Sequence, residues 1–159
     1  MSKLIIGIMY PDSGFLDETK RDLVKEFGEI KIETEHYDFT LFTHYYEKEM
    51  GPEVYKKFFI FEKEIGKEDL VEIKKKITSL EEKYSEDGNR RVNLDPGFID
   101  KHELTLASFK KGTDYKEDLG GGVYAHTVLE FDDEVKVFEH TFPDYKKNKD
   151  FFFELVKGL

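Results

Sequence analysis

Residues 3–9, KLIIGIM, form a continuous apolar run behind a single lysine, and no other segment constrains the fold as strongly. A run this short, bounded by turn residues, reads as a strand buried on both faces. Pro11, Asp12, Ser13 and Gly14 then break the chain, with Ser13 expected to cap a helix. In that helix Leu16, Leu23, Val24 and Phe27 recur at helical spacing, and Gly28 stands at its stop.

The next segment, EIKIETEHYDF, alternates Ile30 and Ile32 with polar residues and reads as a strand. TLFTHYYEKEMGPE fits either a loop or a short helix, ended by Gly51-Pro52. Residues 54–65, VYKKFFIFEKEI, read as a strand. The clearest helix is 67–84, where Leu70, Ile73, Ile77, Leu80 and Tyr84 step by three and four while lysines and glutamates fill the other face. Asp87-Gly88 closes it.

Beyond that point RRVNL, ELTLASF, VYAHTVLEF and EVKVFEHTF are strand-like, separated by Asp-Pro-Gly, Gly120–Gly122 and Asp132-Asp133. NKDFFFELVKGL reads as a terminal helix docked by Phe152 or Phe153 with Leu155 and Val156. The first six elements, strand-helix-strand-strand-helix-strand, match the split βαβ pattern of a ferredoxin-like core. The expected fold is α+β, a single domain over 1–159 with a mainly antiparallel sheet, extra C-terminal strands and a terminal helix.

Composition narrows the function. The 159 residues carry a formal net charge of −10, which disfavours generic binding to nucleic acid or anionic membrane. With 15 Phe and nine Tyr the chain has the bulky groups that disordered chains lack. There is no cysteine, hence no disulfide, thiolate metal site or cysteine nucleophile. The N-terminal apolar run is too short for a signal sequence or a bilayer span, so the expected location is cytoplasmic. No P-loop, dinucleotide-binding fingerprint, zincin or nucleophile-elbow motif occurs. The sequence indicates no metal and names neither a cofactor nor a catalytic residue.

The most suggestive polar stretch is 89–100, NRRVNLDPGFID. Only Arg21, Arg90 and Arg91 are arginines, in a chain that otherwise uses lysine. Arginine offers a planar fork for carboxylate or phosphate that lysine lacks. On a strand, Arg91, Asn93 and Asp95 would share one face, ending at an Asp-Pro-Gly turn. The plainer reading is that Asp95 caps that turn and Arg91 pairs with it. Asp144 and Tyr145, after Pro143, either face a pocket or start a helix. Tyr124, His126, Val128 and Glu130 alternate on one strand face, where a histidine near a tyrosine and a carboxylate suits acid-base work or structure. His44 and Glu47 share a face if helical, a spacing seen in metal sites. Gly120–Gly122 suits a phosphate-approaching loop or a hairpin.

HYYEKEMG, RRVNLDPGFI, ELTLASFK, GGGVYAHTVLEF and HTFPDY, in this order, resemble the domain-of-unknown-function family forty-four-sixteen, small prokaryotic proteins of which some are labelled GTP-binding. The resemblance spans nearly the whole chain and implies no mechanism. It marks Tyr45, Tyr46, Glu49, Arg91, Asn93, Asp95, Lys110, Tyr124, Thr141, Asp144 and Tyr145 as matching recurring polar positions. Loop 112–119 lacks a His-Arg pair associated with relatives, and His140 stands where tryptophan is usual. The candidate ligand-binding set is therefore Arg91, Asn93, Asp95, Lys110, Tyr124, Asp144 and Tyr145, for a small anionic or polar ligand or a nucleotide. A non-catalytic module for protein interaction or self-assembly into a homo-oligomer is the alternative. RNA binding on sheet aromatics ranks last, against the acidic charge.

Overall fold

The computed structural model describes residues 2–112 and 116–159. Strands β1 (Ser2–Tyr10), β2 (Ile30–Glu33), β3 (Tyr37–Asp38), β4 (Tyr55–Ile65), β5 (Asn93–Ile99), β6 (Glu103–Ser108), β7 (Glu117–Gly120), β8 (Val123–Phe131) and β9 (Val135–Val137) alternate with five α-helices. These are α1 (Ser13–Phe27), α2 (Glu47–Met50), α3 (Leu70–Lys83), α4 (Pro143–Lys147) and α5 (Lys149–Val156). The class is α+β, on a nine-stranded open sheet in the order β2-β4-β1-β5-β6-β8-β7, with β3 beside β4 and β9 beside β8. No described helix is long and apolar enough to cross a membrane.

Cα packing resolves two compact units, one of Ile5–Lys63 with Lys75–Asp95, the other of the described residues in 1–4, 64–74 and 96–159. In the first, β1 is buried along its apolar run, as a strand covered on both faces requires. Ile30 and Ile32 of β2 pair antiparallel with Phe61 and Ile60 of β4. The cap of α1 is Asp12 rather than Ser13: its carboxylate accepts from the Phe15 amide at 3.1 Å. The buried face of α1 runs Thr19, Leu23 and Phe27 at i+4 steps, whereas Val24 is exposed. Thr19 occupies a core-facing position because its hydroxyl donates to the Phe15 carbonyl at 2.7 Å. Gly28 ends the helix at φ 92°, a conformation that favours glycine. Met9, Phe39, Met50 and Val54 form a separate apolar cluster, so the ambiguous 40–53 stretch is a short helical turn, a loop and α2 packed on β1.

In the second unit the sheet runs antiparallel through β5, β6, β8 and β7. The expected Asp-Pro-Gly turn is absent, because β5 passes straight through Asp95, Pro96 and Gly97. The reason lies across the ladder. Gly97 pairs with Leu106, and a Cβ placed there would stand 2.1 Å from the Thr105 carbonyl oxygen. The glycine serves a close backbone approach, not a positive φ. The chain reverses five residues after Asp95, at Asp100, whose Oδ1 accepts from the His102 and Glu103 amides at 2.8 and 2.9 Å. A register shift between Leu104 and Thr105 leaves Val128 as an extra residue in β8. There His140 Nε2 donates to the Thr127 carbonyl at 2.8 Å and the Thr141 hydroxyl to that of Val128 at 2.6 Å. β7 is an additional strand, and Gly120–Gly122 turn it into β8 with φ of 87°, 61° and 81°. Only Val135–Val137 of EVKVFEHTF is strand. Phe152 and Val156 bury α5, and Phe153 stacks on Phe131 at 6.1 Å.

Candidate functional site

The site-forming stretch begins at a tight turn after α3. Glu86 and Asn89 exchange backbone hydrogen bonds at 2.9 Å in each direction, while Asp87 and Gly88 between them take positive φ. Two successive arginines leave this turn, and their environments differ completely.

Arg90 is held on three sides. Its Nε donates to Glu49 Oε1 at 3.0 Å, and Nη2 lies 2.9 Å from the same oxygen. Nη1 donates to Asn93 Oδ1 at 2.6 Å and stands 3.6 Å from Glu81 Oε2. Asn93 passes the interaction on, its Nδ2 donating to Asp95 Oδ2 at 3.1 Å. Glu81 is itself buried and accepts the Leu94 backbone amide at 2.8 Å, which ties α3 to the start of β5. Burial by itself would lower the Arg90 pKa. The Glu49 hydrogen bond and the charges of Glu81 and Glu49 outweigh it, and the net direction is upward. The guanidinium is thus a fixed cation.

Arg91 sits on a bend outside the strand. Its guanidinium carbon lies 5.7 Å from the centroid of the Phe15 ring, over that ring, and Phe15 belongs to the first turn of α1. Phe15 is itself braced edge-on by Tyr84 at 6.4 Å. Among the described residues no carboxylate forms an ion pair with Arg91, and its buried Nε meets no hydrogen-bond acceptor.

The expected row of Arg91, Asn93 and Asp95 is therefore corrected in one member. Asn93 and Asp95 do share a strand face and touch, but the cation that joins them is Arg90. Arg91 does not pair with Asp95, so the bracing of an Asp-Pro-Gly turn falls away together with the turn.

The other four candidates belong to the second unit. The Lys110 carbonyl accepts from His126 Nε2 at 2.9 Å, and the Lys110 amide donates to Ser108 Oγ at 3.0 Å. Tyr124 pairs across the sheet with Ser108 on one side and Asp118 on the other. Asp144 and Tyr145 begin α4 and are buried. The Asp144 carbonyl accepts the Asn148 side-chain amide at 2.8 Å, and the Tyr145 ring stacks on Phe152 at 5.9 Å. Their surroundings are those of a helix start and a core. His126 is bound to a backbone carbonyl, and His44 pairs with Glu47 at 3.5 Å in an exposed position. Among the described residues no three His, Asp or Glu are placed to hold a metal ion. Of loop 112–119, residues 113–115 lie outside the described residues.

Sequence reasoning overlooked Arg90, Glu81 and Phe15. Glu81 carried a signal: it falls four residues after Ile77, on the apolar stripe of α3, where a carboxylate needs a partner.

A family model described as Domain of unknown function (DUF4416) matches residues 1–157. No curated protein and no solved structure matches the chain.

Proposed function

The chain belongs to the family Domain of unknown function (DUF4416), whose description carries no activity, and from the side chains themselves we propose that it is a small-molecule or nucleotide-binding domain whose ligand is anionic and is received at Arg91. The observation that carries this reading is the division between the two arginines. Arg90 is engaged by Glu49, Glu81 and Asn93, while Arg91 has no described carboxylate partner and is propped on an aromatic ring beside the first turn of a 15-residue helix. A chain of net charge −10 does not leave a guanidinium unpaired for want of acidic groups.

The reading also takes in the finer fold assignment. The order β2-β4-β1-β5, with α1 following β1 and α3 following β4, is consistent with a split βαβ, ferredoxin-like core. The one-domain organisation is part of the proposal: β1, β4, α3 and β5 each run from one compact unit into the other, so no single linker separates them. Absence of cysteine fits a cytoplasmic setting. Asn93 and Asp95 stay candidates as polar groups ordered by Arg90. Lys110, Tyr124, Asp144 and Tyr145 stay as separate candidates within the other unit, apart from the site proposed at Arg91.

A thermal-shift screen with GTP, other nucleotides, inorganic phosphate and divalent metals tests the reading. An anionic ligand is expected to raise Tm, and Arg91→Ala is expected to abolish that rise while retaining the fold. No shift with any ligand at millimolar concentration would count against it. The second reading, self-association, is favoured by Leu41 and Tyr45, exposed at 73% and 74% on the segment between β3 and α2. Light scattering decides it, since a strictly monomeric chain removes that reading.

A further inference from the structure

We infer that Arg91 takes its ligand side-on, through the Nε–Nη2 edge of the guanidinium, and that the group it takes is therefore an oxyanion with two oxygens in one plane, a phosphate or a carboxylate. This rests on the anion-binding reading and specifies the chemistry of that site. Two features carry it. The first is the ring neighbour of Arg91: the Phe15 centroid lies 5.7 Å from Cζ, and this contact supplies no acceptor oxygen or nitrogen to the fork.

The second feature is the Nε itself. It is buried, and no described residue gives it an acceptor. A buried charged donor without an acceptor costs more than a neutral one and is rare in native structures. The neighbouring arginine shows what a satisfied Nε looks like here, since that of Arg90 donates to Glu49 at 3.0 Å. A terminal Nη group can find solvent by turning outward, whereas a buried Nε can be satisfied only by an acceptor brought to it. An acceptor reaching Nε lies beside the adjacent Nη2, and two parallel N–H groups select a group with two oxygens over a single hydroxyl or carbonyl.

The chain has only three arginines, which makes the test direct. In 15N-labelled full-length protein the three Nε–Hε signals are assigned with Arg21→Lys, Arg90→Lys and Arg91→Lys. Inorganic phosphate, acetate and chloride are then titrated at matched ionic strength. The Arg91 signal is expected to move and saturate with phosphate, acetate or both, and not with chloride, while the Arg90 signal stays still. Phosphate alone identifies a phosphate site, and movement with acetate identifies a carboxylate-compatible one. Arg91→Lys, read from the shifts of neighbouring backbone amides, is expected to weaken phosphate or acetate binding at least about tenfold, because lysine cannot supply two parallel donors.

An equal response to chloride means an adventitious ion only and overturns the inference. If a nucleotide raises Tm while the Arg91 Nε signal does not move, the side-on geometry is wrong and the binding reading stands. If neither responds, both fail.

Discussion

Arg90 donates to the side-chain carbonyl of Asn93 at 2.6 Å, and this contact fixes which way the asparagine amide faces. With its oxygen on the cation, Asn93 must turn its NH2 toward Asp95, where the 3.1 Å hydrogen bond is found. One guanidinium thereby orders two residues of β5 as well as the carboxylates of Glu49 and Glu81.

Removing that cation leaves a buried carboxylate facing others. Arg90→Ala is expected to destabilise the protein by about 2 kcal/mol, below the range for a fully buried pair because Arg90 and Glu49 are each about one-third exposed. Arg91→Ala removes a ring contact and no ion pair, so a cost under about 1 kcal/mol is expected. Urea unfolding of the two variants gives the comparison. Equal losses would contradict the division of roles.

At Gly97 the Thr105 carbonyl oxygen lies where a methyl group would have to go. Backbone cannot rotate aside as a side chain can. Gly97→Ala is expected to cost more than about 2 kcal/mol or to prevent folding, read from the melting temperature and soluble yield. Gly122→Ala, in an exposed hairpin turn, serves as a milder comparison, because nothing lies within 4 Å of the added methyl group and its cost comes from the φ of 81° alone.

The Thr141 hydroxyl accepts from the Phe138 amide at 2.9 Å and donates to the Val128 carbonyl at 2.6 Å, while itself buried. Thr141→Val keeps the shape and strips both hydrogen bonds. A loss of about 1–3 kcal/mol is expected, with faster amide exchange at Phe138 than in the parent. An unchanged Phe138 amide would refute the tether.

Three carboxylates give the pH dependence. Burial works to raise the pKa values of Asp100 and Glu33, but the Ser2 hydroxyl and two backbone amides on Asp100, and Lys20 and Lys57 on Glu33, bring both below their ordinary values. Asp22 is lowered by hydrogen bonds from Lys83 and Tyr84. In each case the folded state binds protons less readily than the unfolded one. Their stabilisation is whole above the ordinary values, 3.8 for Asp and 4.5 for Glu, and declines as pH falls through the lower folded values. Urea midpoints are expected to be level near pH 6 and to drop below pH 4, with a shallower drop in Asp100→Asn. At the alkaline end burial pushes Tyr10 up to about 12, helped by the Glu33 charge, so its contribution is whole below pH 10 and lost toward 12. Tyrosinate absorbance is expected to show this late ionisation and to lose one late-ionising tyrosine in Tyr10→Phe, Tyr84 also being raised by burial and its hydrogen bond to Asp22.

The sequence made the periodic elements legible. Residues 3–9 and the Leu70–Ile73–Ile77 stripe stand where their patterns put them, because burial of a repeating face is a local property. Asp95-Pro96-Gly97 misled for the opposite reason: what requires its glycine is a carbonyl eight residues further on, outside any turn statistic. The polar EDLG of β7 has no apolar alternation to announce it. Arg90 and Arg91 are indistinguishable as neighbouring letters. Their roles separate only because the turn at Asp87-Gly88 sends one toward Glu49 and the other over Phe15.

The Asp-Pro-Gly triplet inside β5 has one more consequence. Side-chain direction alternates along a strand, so a slip of one residue would move Gly97 away from the Thr105 carbonyl and set Pro96 or Phe98 against it. Neither has room, and proline also lacks the N–H that a shifted ladder would need. The triplet therefore works as a key cut for a single alignment of β5 on β6.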